Sequence, residues 1–217
     1  MNKNYIIRLE TENDYAEVET LAREAFWNLY VPGCNEHFLI HTMRDHKDFI
    51  PQLDYVIELD GKIIASVMYT KSKLVDEQGN IKPVISFGPL CVHPDYQRKG
   101  YGKALLNYTF DRAVEMGYDT IIIFGNPSNY VSRGFKSCVK YNVYLEGGFC
   151  PMAMMLKELV PDVLNGRKWT YYGSSFDEKS KDEKALEEYE KRFPKKEKAW
   201  QPSQEEFYIH CHSVTNK

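Results

Sequence analysis

The chain has 217 residues, 43% hydrophobic and 27% charged, with a formal net charge of -3. That length suits one large domain, or one domain with an appended segment, and the charge balance gives no electrostatic reason to expect a nucleic acid partner. No apolar run approaches the ~18 residues of a membrane span, and the polar start MNKNYIIRLE lacks a signal-peptide core. Five scattered cysteines, Cys34, Cys91, Cys138, Cys150 and Cys211, never fall in CxxC spacing, so the expectation is a reduced, cytoplasmic protein with no membrane partner.

In chain order, YIIRLE at 5–10 reads as a short strand. ENDYAEVETLAREAFW then places Val18, Leu21, Ala22, Ala25 and Phe26 at helical spacing, with Thr11 or Asn13 as cap. A turn-like VPGCNE precedes a second helix, expected over 36–48. DYVIELDGKIIASVMYTKSKLV has the form of two strands joined by Asp60-Gly61, a dipeptide suited to a type I′ hairpin. After the turn DEQGN comes a further strand, IKPVISFGPLCV at 81–92. The clearest helix is 101–116, with Gly117 placed to terminate it. YDTIIIFG is so continuously apolar that it predicts a buried central strand, and CVKYNVYL and MAMMLKEL predict two more. The pattern is α/β or α+β, a mixed sheet with helices on its faces.

From about residue 162 the composition changes. DEKSKDEKALEEYEKRFPKKEKAW is dense in both charge signs, with Ala185, Leu186, Tyr189 and Phe193 on one face. The expected division is a domain over 1–161 and a charged helical extension over 162–217 packed on it; a lid or partner-binding arm is the alternative. The HCH at 210–212 has poor metal-site spacing, and no metal is expected.

The stretch PLCVHPDYQRKGYGKALLNYTF puts a glycine-rich basic turn between a strand and a helix. Such a turn exposes backbone N–H groups at the positive end of the helix dipole, where phosphate binds. Gly100 and Gly102 would allow close approach, and Arg98, Lys99 and Lys103 add charge. The dinucleotide fingerprint fails at Leu105, and the Walker A pattern fails at Gln97 and Ala104.

The pattern that fits is Gln/Arg-x-x-Gly-x-Gly/Ala, here QRKGYG at 97–102. With the preceding VHPDY and a second motif, IIIFGNPSNYVSRGF at 121–135, the sequence resembles the GNAT superfamily of acetyl-CoA-dependent N-acyltransferases. It is similar to a bacterial subgroup of predicted N-acetyltransferases, the YhbS type, whose second motif reads Gly-x-Pro-x-Tyr-Tyr and ends in Gly-Phe. Asn129 stands where that subgroup has its first tyrosine; Tyr130 keeps the second.

The resemblance implies a GNAT fold, a mostly antiparallel mixed sheet splayed at the cofactor site. It implies that the diphosphate of coenzyme A is held by the turn formed by Gln97, Arg98, Lys99, Gly100, Tyr101, Gly102 and Lys103. Leu90, Cys91 and Val92 would pair with the pantetheine arm, Asn126 would contact it, and Tyr130 would protonate the departing thiolate. An N–H of Cys91 or Val92 would stabilise the oxyanion. The family's strand carboxylate is absent from VISFGPLCV, so the general base is open; Glu24, Glu58 and His37 are candidates. His37 and His41 read as partly exposed positions on one helix face that could line the acceptor pocket. Tyr130 is also readable as a buried aromatic, and Cys91 as a small core residue rather than a nucleophile. The expected activity is acetyl transfer to a small-molecule primary amine. A non-catalytic acetyl-CoA sensor, and an enzyme acting on a protein, a peptide or an aminoacyl-tRNA, remain alternatives, and a homodimer is left open.

Overall fold

A computed structural model describes residues 4–176 and 178–216; residues 1–3, 177 and 217, and with them the outer ends of the expected domain division, lie outside the described residues. Strand β1 (Tyr5–Leu9) pairs antiparallel with β2 (Tyr55–Leu59), which turns at Asp60-Gly61 into β3 (Lys62–Asp76). Both turn residues have positive φ, 52° and 75°, as a type I′ hairpin requires. Strand β3 pairs antiparallel with β4 (Ile81–Val92), from Ala65 opposite Val92 to Val75 opposite Ile81. Then come β5 (Thr120–Phe124), β6 (Lys136–Ser137), β7 (Val143–Tyr144), β8 (Phe149–Pro151) and β9 (Met154–Glu158). The sheet runs β1-β2-β3-β4-β5-β9-β6, with β4 and β5 parallel and the other neighbours on this path antiparallel.

Helices α1 (Tyr15–Phe26) and α2 (Glu36–Met43) cover one face, burying Val18, Leu21, Ile40 and Met43 against Val56, Met68 and Cys91. Helix α3 (Tyr101–Glu115) covers the other, burying Leu105, Phe110 and Ala113 against Ile57, Ile85 and Ile121. With both faces covered, β3 is buried without interruption from Ile63 to Thr70 instead of alternating. Gly117, at φ 87°, ends α3, and the Tyr118 N–H turns back to the Ala113 carbonyl at 2.9 Å. Thr11 opens the turn before α1, donating its N–H and hydroxyl to Asp14, each at 2.8 Å.

Three expectations need correction. The helix of 36–48 ends at Met43. In CVKYNVYL only Val143–Tyr144 is strand, because Asn142 takes φ 55° and breaks the extended run, leaving Cys138–Tyr141 as a tight turn. The region after 161 is not purely helical: β10 (Trp169–Tyr172) pairs antiparallel with the far half of β3 and parallel with β7, and β11 (Val214–Asn216) pairs with β8. Its helices are α5 (Glu183–Glu190) and α6 (Pro202–His212). Pro194 keeps α5 from running on through Phe193.

This C-terminal region lies against α1 and the residue that follows it through polar contacts, the first of them buried. Tyr189 donates its hydroxyl to Glu19 at 2.6 Å, Arg23 Nε donates to Glu190 at 2.9 Å, and Trp27 Nε1 donates to the Glu197 carbonyl at 2.9 Å.

Candidate active site

Strands β4 and β5 are joined at one register position, Ile85 opposite Ile121, and part beyond it. A bulge at Gly88-Pro89 faces Met68 of β3 and bends the departing end of β4. A cavity of about 1290 Å³ occupies the wedge between the strands. The short helix α4 (Pro127–Tyr130) borders it on the β5 side.

At one end of the wedge the chain leaves β4 and enters α3. Gln97 Nε2 donates to the Val92 carbonyl at 3.0 Å and pins the loop to the strand end. Arg98 and Gly100 take φ of 60° and 92°, which folds the backbone sharply before the helix. Gly102 serves a different need: a Cβ there would meet Val92 Cγ2 at 3.3 Å, so its bareness lets α3 start against β4. The first-turn N–H groups of Gly102 and Lys103 have no acceptor within the helix, and the Arg98 and Lys103 side chains line the same end. A Cβ on Gly100 would meet no atom within 4 Å, so open space lies over the turn. Backbone donors, dipole, two cations and free space fit a diphosphate.

The strand residues divide by ladder parity. The His93 N–H bonds to the Ile64 carbonyl at 2.9 Å, so Cys91, two residues earlier, also turns its backbone to β3, and Leu90 and Val92 face the opening. The Cys91 side chain is fully buried on the α1–α2 face. Cys91 is therefore set aside as a pantetheine or oxyanion contact. Lys99 and Asn126 do not line the cavity: the Lys99 ammonium donates to the Asp95 carbonyl at 2.5 Å, and Asn126 accepts from the Ser128 N–H at 3.0 Å, capping α4. Gln97, Arg98, Gly100, Tyr101, Gly102, Lys103, Leu90, Val92 and Tyr130 all line the wedge.

Tyr130 packs its ring against Phe87 and Phe135, each with centroids 5.7 Å away. A Cβ on Gly125 would meet the Tyr130 ring at 2.7 Å, so this glycine makes room for it. Burial pushes the Tyr130 phenol well above its ordinary value and keeps it protonated at neutral pH.

The other end of the wedge holds a group that sequence reasoning missed. Glu36, in the first turn of α2, lines the cavity, and burial raises its carboxyl from 4.5 to about 7 despite the Asn35 N–H donated to it at 3.1 Å. Tyr30 lines the same cavity and interacts electrostatically with both Glu36 and Tyr130. Its phenol is pushed up to about 12, first by burial and then by the Glu36 charge, and Tyr130 in turn feels Tyr30. None of the three expected base candidates lines the cavity. Glu24 pairs with Lys196 at 2.8 Å and Glu58 with Arg8 at 2.8 Å. His37 is fully buried rather than partly exposed, 2.8 Å from Glu190, while His41 pairs with Glu19 at 3.0 Å outside the cavity.

Residues 23–136, from α1 to the Gly-Phe after Tyr130, match the family model of the acetyltransferase (GNAT) family. The chain belongs to the GNAT family. Its curated relatives include the uncharacterized N-acetyltransferase YhbS of Escherichia coli, 25% identical over 161 residues, covering 74% of this chain and 91% of the relative. A second, the uncharacterized N-acetyltransferase YjhQ of Escherichia coli, is 21% identical over 136 residues, or 62% of this chain and 71% of the relative. The crystal structure of Escherichia coli YhbS in complex with CoA superposes with a TM-score of 0.70 at 22% identity, over 82% of this chain and 94% of that one. A GNAT acetyltransferase of Brucella melitensis in complex with acetyl-CoA gives 0.61 at 19% identity, over 81% and 99%. The GNAT assignment makes the chain an acyltransferase of the N-acetyltransferase type and accounts for the wedge and the glycine turn. The family match ends before β10 and α6, which form part of the cavity wall here.

Proposed function

We propose that the protein transfers an acetyl group from acetyl-CoA to a primary amine of a small molecule, both held together in the wedge. The observation that carries this reading is a single cavity with an anion cradle at the α3 end, a carboxyl raised to about 7 at the α2 end, and a protonated tyrosine on its wall. Acetyl-CoA supplies the acetyl group as a thioester, which is reactive toward amines. The Gly102 and Lys103 N–H groups, with the Arg98 and Lys103 side chains, hold the diphosphate. Leu90 and Val92 offer outward-facing backbone groups to the pantetheine arm, and the Val92 N–H is the donor available to a developing oxyanion.

Glu36 takes a proton from the acceptor ammonium, leaving a neutral nitrogen. That nitrogen bonds to the acetyl carbon as the carbon–sulfur bond breaks, and Tyr130 gives its phenolic proton to the sulfur. The amine yields two protons in all. One replaces the proton Tyr130 gave up, and the other is released. A carboxyl raised toward neutrality suits the base role, since it is a stronger base than an ordinary carboxylate and is still partly ionised at neutral pH.

Thiol release from acetyl-CoA over a panel of amines, with cofactor binding followed by calorimetry, tests the proposal. Turnover with any small amine supports it. Tight binding with no turnover across the panel would replace it with the sensor reading, and absence of binding would overturn the cofactor assignment.

A further inference from the structure

The acceptor end of the cavity is built largely from rings. Phe26 and Tyr30 come from the α1–α2 side, Tyr171 and Phe176 from β10 and the loop after it, and Phe207 and Tyr208 from α6. Tyr30 stacks on Phe207 with centroids 4.2 Å apart, and Tyr208 stacks on His212 at 3.9 Å. Helix α6 is seated on the α1–α2 connection by buried polar contacts: Gln204 Nε2 donates to the Asn28 carbonyl at 3.0 Å, and Ser203 Oγ donates to the Leu29 carbonyl at 2.8 Å. The Tyr30–Phe207 stack and these hydrogen bonds tie α6 to the α1–α2 connection.

Charge in the cavity is equally specific. Among the described residues that line it, Glu36 is the one acidic side chain, whereas Arg98, Lys103 and Arg133 are cationic. A substrate with one ammonium finds one carboxylate. A second or third ammonium would meet aromatic rings or the cations of the cofactor end, and an unpaired charge taken out of water is costly. Rings stabilise one cation through their faces and an apolar body through contact area, and they do not replace several missing carboxylates.

We propose that the acceptor is a monocationic primary amine on an aromatic or alkyl body, with Glu36 receiving the ammonium and the α6 rings Phe207 and Tyr208 selecting the body. This rests on the acetyltransferase reading. It excludes polyamines and aminoglycosides as preferred acceptors.

The test uses the full chain with saturating acetyl-CoA and compares kcat/KM for 2-phenylethylamine, tyramine and hexylamine with that for spermidine and kanamycin. The monoamines are expected to lead by about 100-fold, the upper range of what pocket complementarity provides. F207A and Y208A are expected to shrink that lead by about tenfold each, while the acetyl-CoA Kd measured by calorimetry stays within about twofold. F207L, which keeps apolar bulk, checks that any loss in F207A is not a folding defect. Equal or better turnover of spermidine or kanamycin overturns the proposal alone, whereas acetyl-CoA binding without turnover of any amine overturns it together with the acetyltransferase reading. Failure to bind acetyl-CoA at all would likewise overturn the underlying acetyltransferase reading.

Discussion

Tyr30, in the connection after α1, and Phe207, on the C-terminal helix, form one stacked pair with ring planes 29° apart, so the cavity wall is completed by a segment far along the chain. The pair also steadies the Tyr30 ring, which feels the Glu36 charge and in turn influences Tyr130. We expect Phe207→Ala to raise the amine KM about tenfold and to lower stability by ~1 kcal/mol, the usual worth of a stacked pair. Steady-state kinetics beside a chemical denaturation curve read the two effects separately. An unchanged KM would mean that the pair is structural only.

In the proposed mechanism, Tyr130→Phe removes the proton offered to the leaving thiolate and keeps the ring that fills the space beside Phe87 and Phe135. Single-turnover rates are expected to fall by about 10²-fold, the lower range for loss of a general acid, with acetyl-CoA affinity preserved. Gly125→Ala should reach a similar outcome by another route, since its methyl group would displace the Tyr130 ring. Full activity in both variants would remove Tyr130 from the chemistry.

Glu36 makes a pH prediction with a definite sign. As a base it must be ionised, so kcat/KM should rise with pH through an inflection near 7 rather than near the ordinary 4.5. Glu36→Gln should flatten that limb at low activity. Stability runs the other way: the raised folded-state value means that this group's contribution is whole below pH 4.5 and is lost as pH rises through about 7. Glu36→Gln is therefore expected to melt at a higher temperature than the parent protein at pH 8. A lower melting temperature would contradict the burial argument.

Gly100→Glu places a side chain at φ 92° and a negative charge over the diphosphate cradle. Acetyl-CoA Kd should rise by more than tenfold, about 1.4 kcal/mol or more. Calorimetry that returns the parent Kd would show that the turn does not hold the cofactor.

Glu190 balances buried Arg23, whose side chain is 3% exposed, and stands 2.8 Å from buried His37. Glu190→Ala should cost ~3 kcal/mol, near the low end for breaking a buried pair because Glu190 itself is partly exposed. Double replacement with Arg23→Met should recover part of that loss, and denaturant midpoints give the comparison.

Much of the fold could be read from periodicity, because covered strands and an amphipathic α3 leave long patterns. The glycine turn could also be read, since Gly100 and Gly102 answer to backbone demands that few residues meet. Glu36 could not, because a glutamate in the first turn of a helix is ordinary, and its raised pKa comes from the enclosure around it. WTYY at 169–172 is too short to set a period of two, and PSQEEFYIHCH gives no clear polar and apolar faces because α6 has a cavity on one side and solvent on another. Gly125 was unreadable for a related reason: its constraint is the Tyr130 ring, which folding brings over it.

The pairing of β10 with β3 joins Lys73–Asp76 to Trp169–Tyr172, positions almost a hundred residues apart. During synthesis, the outer edge of β3 at those positions stays open until the late strand has emerged from the ribosome. An uncovered strand edge is a template for joining another chain. The nascent protein therefore passes through a sticky interval in which its sheet is nearly assembled, and it is during this interval that chaperone demand and aggregation on overexpression should concentrate.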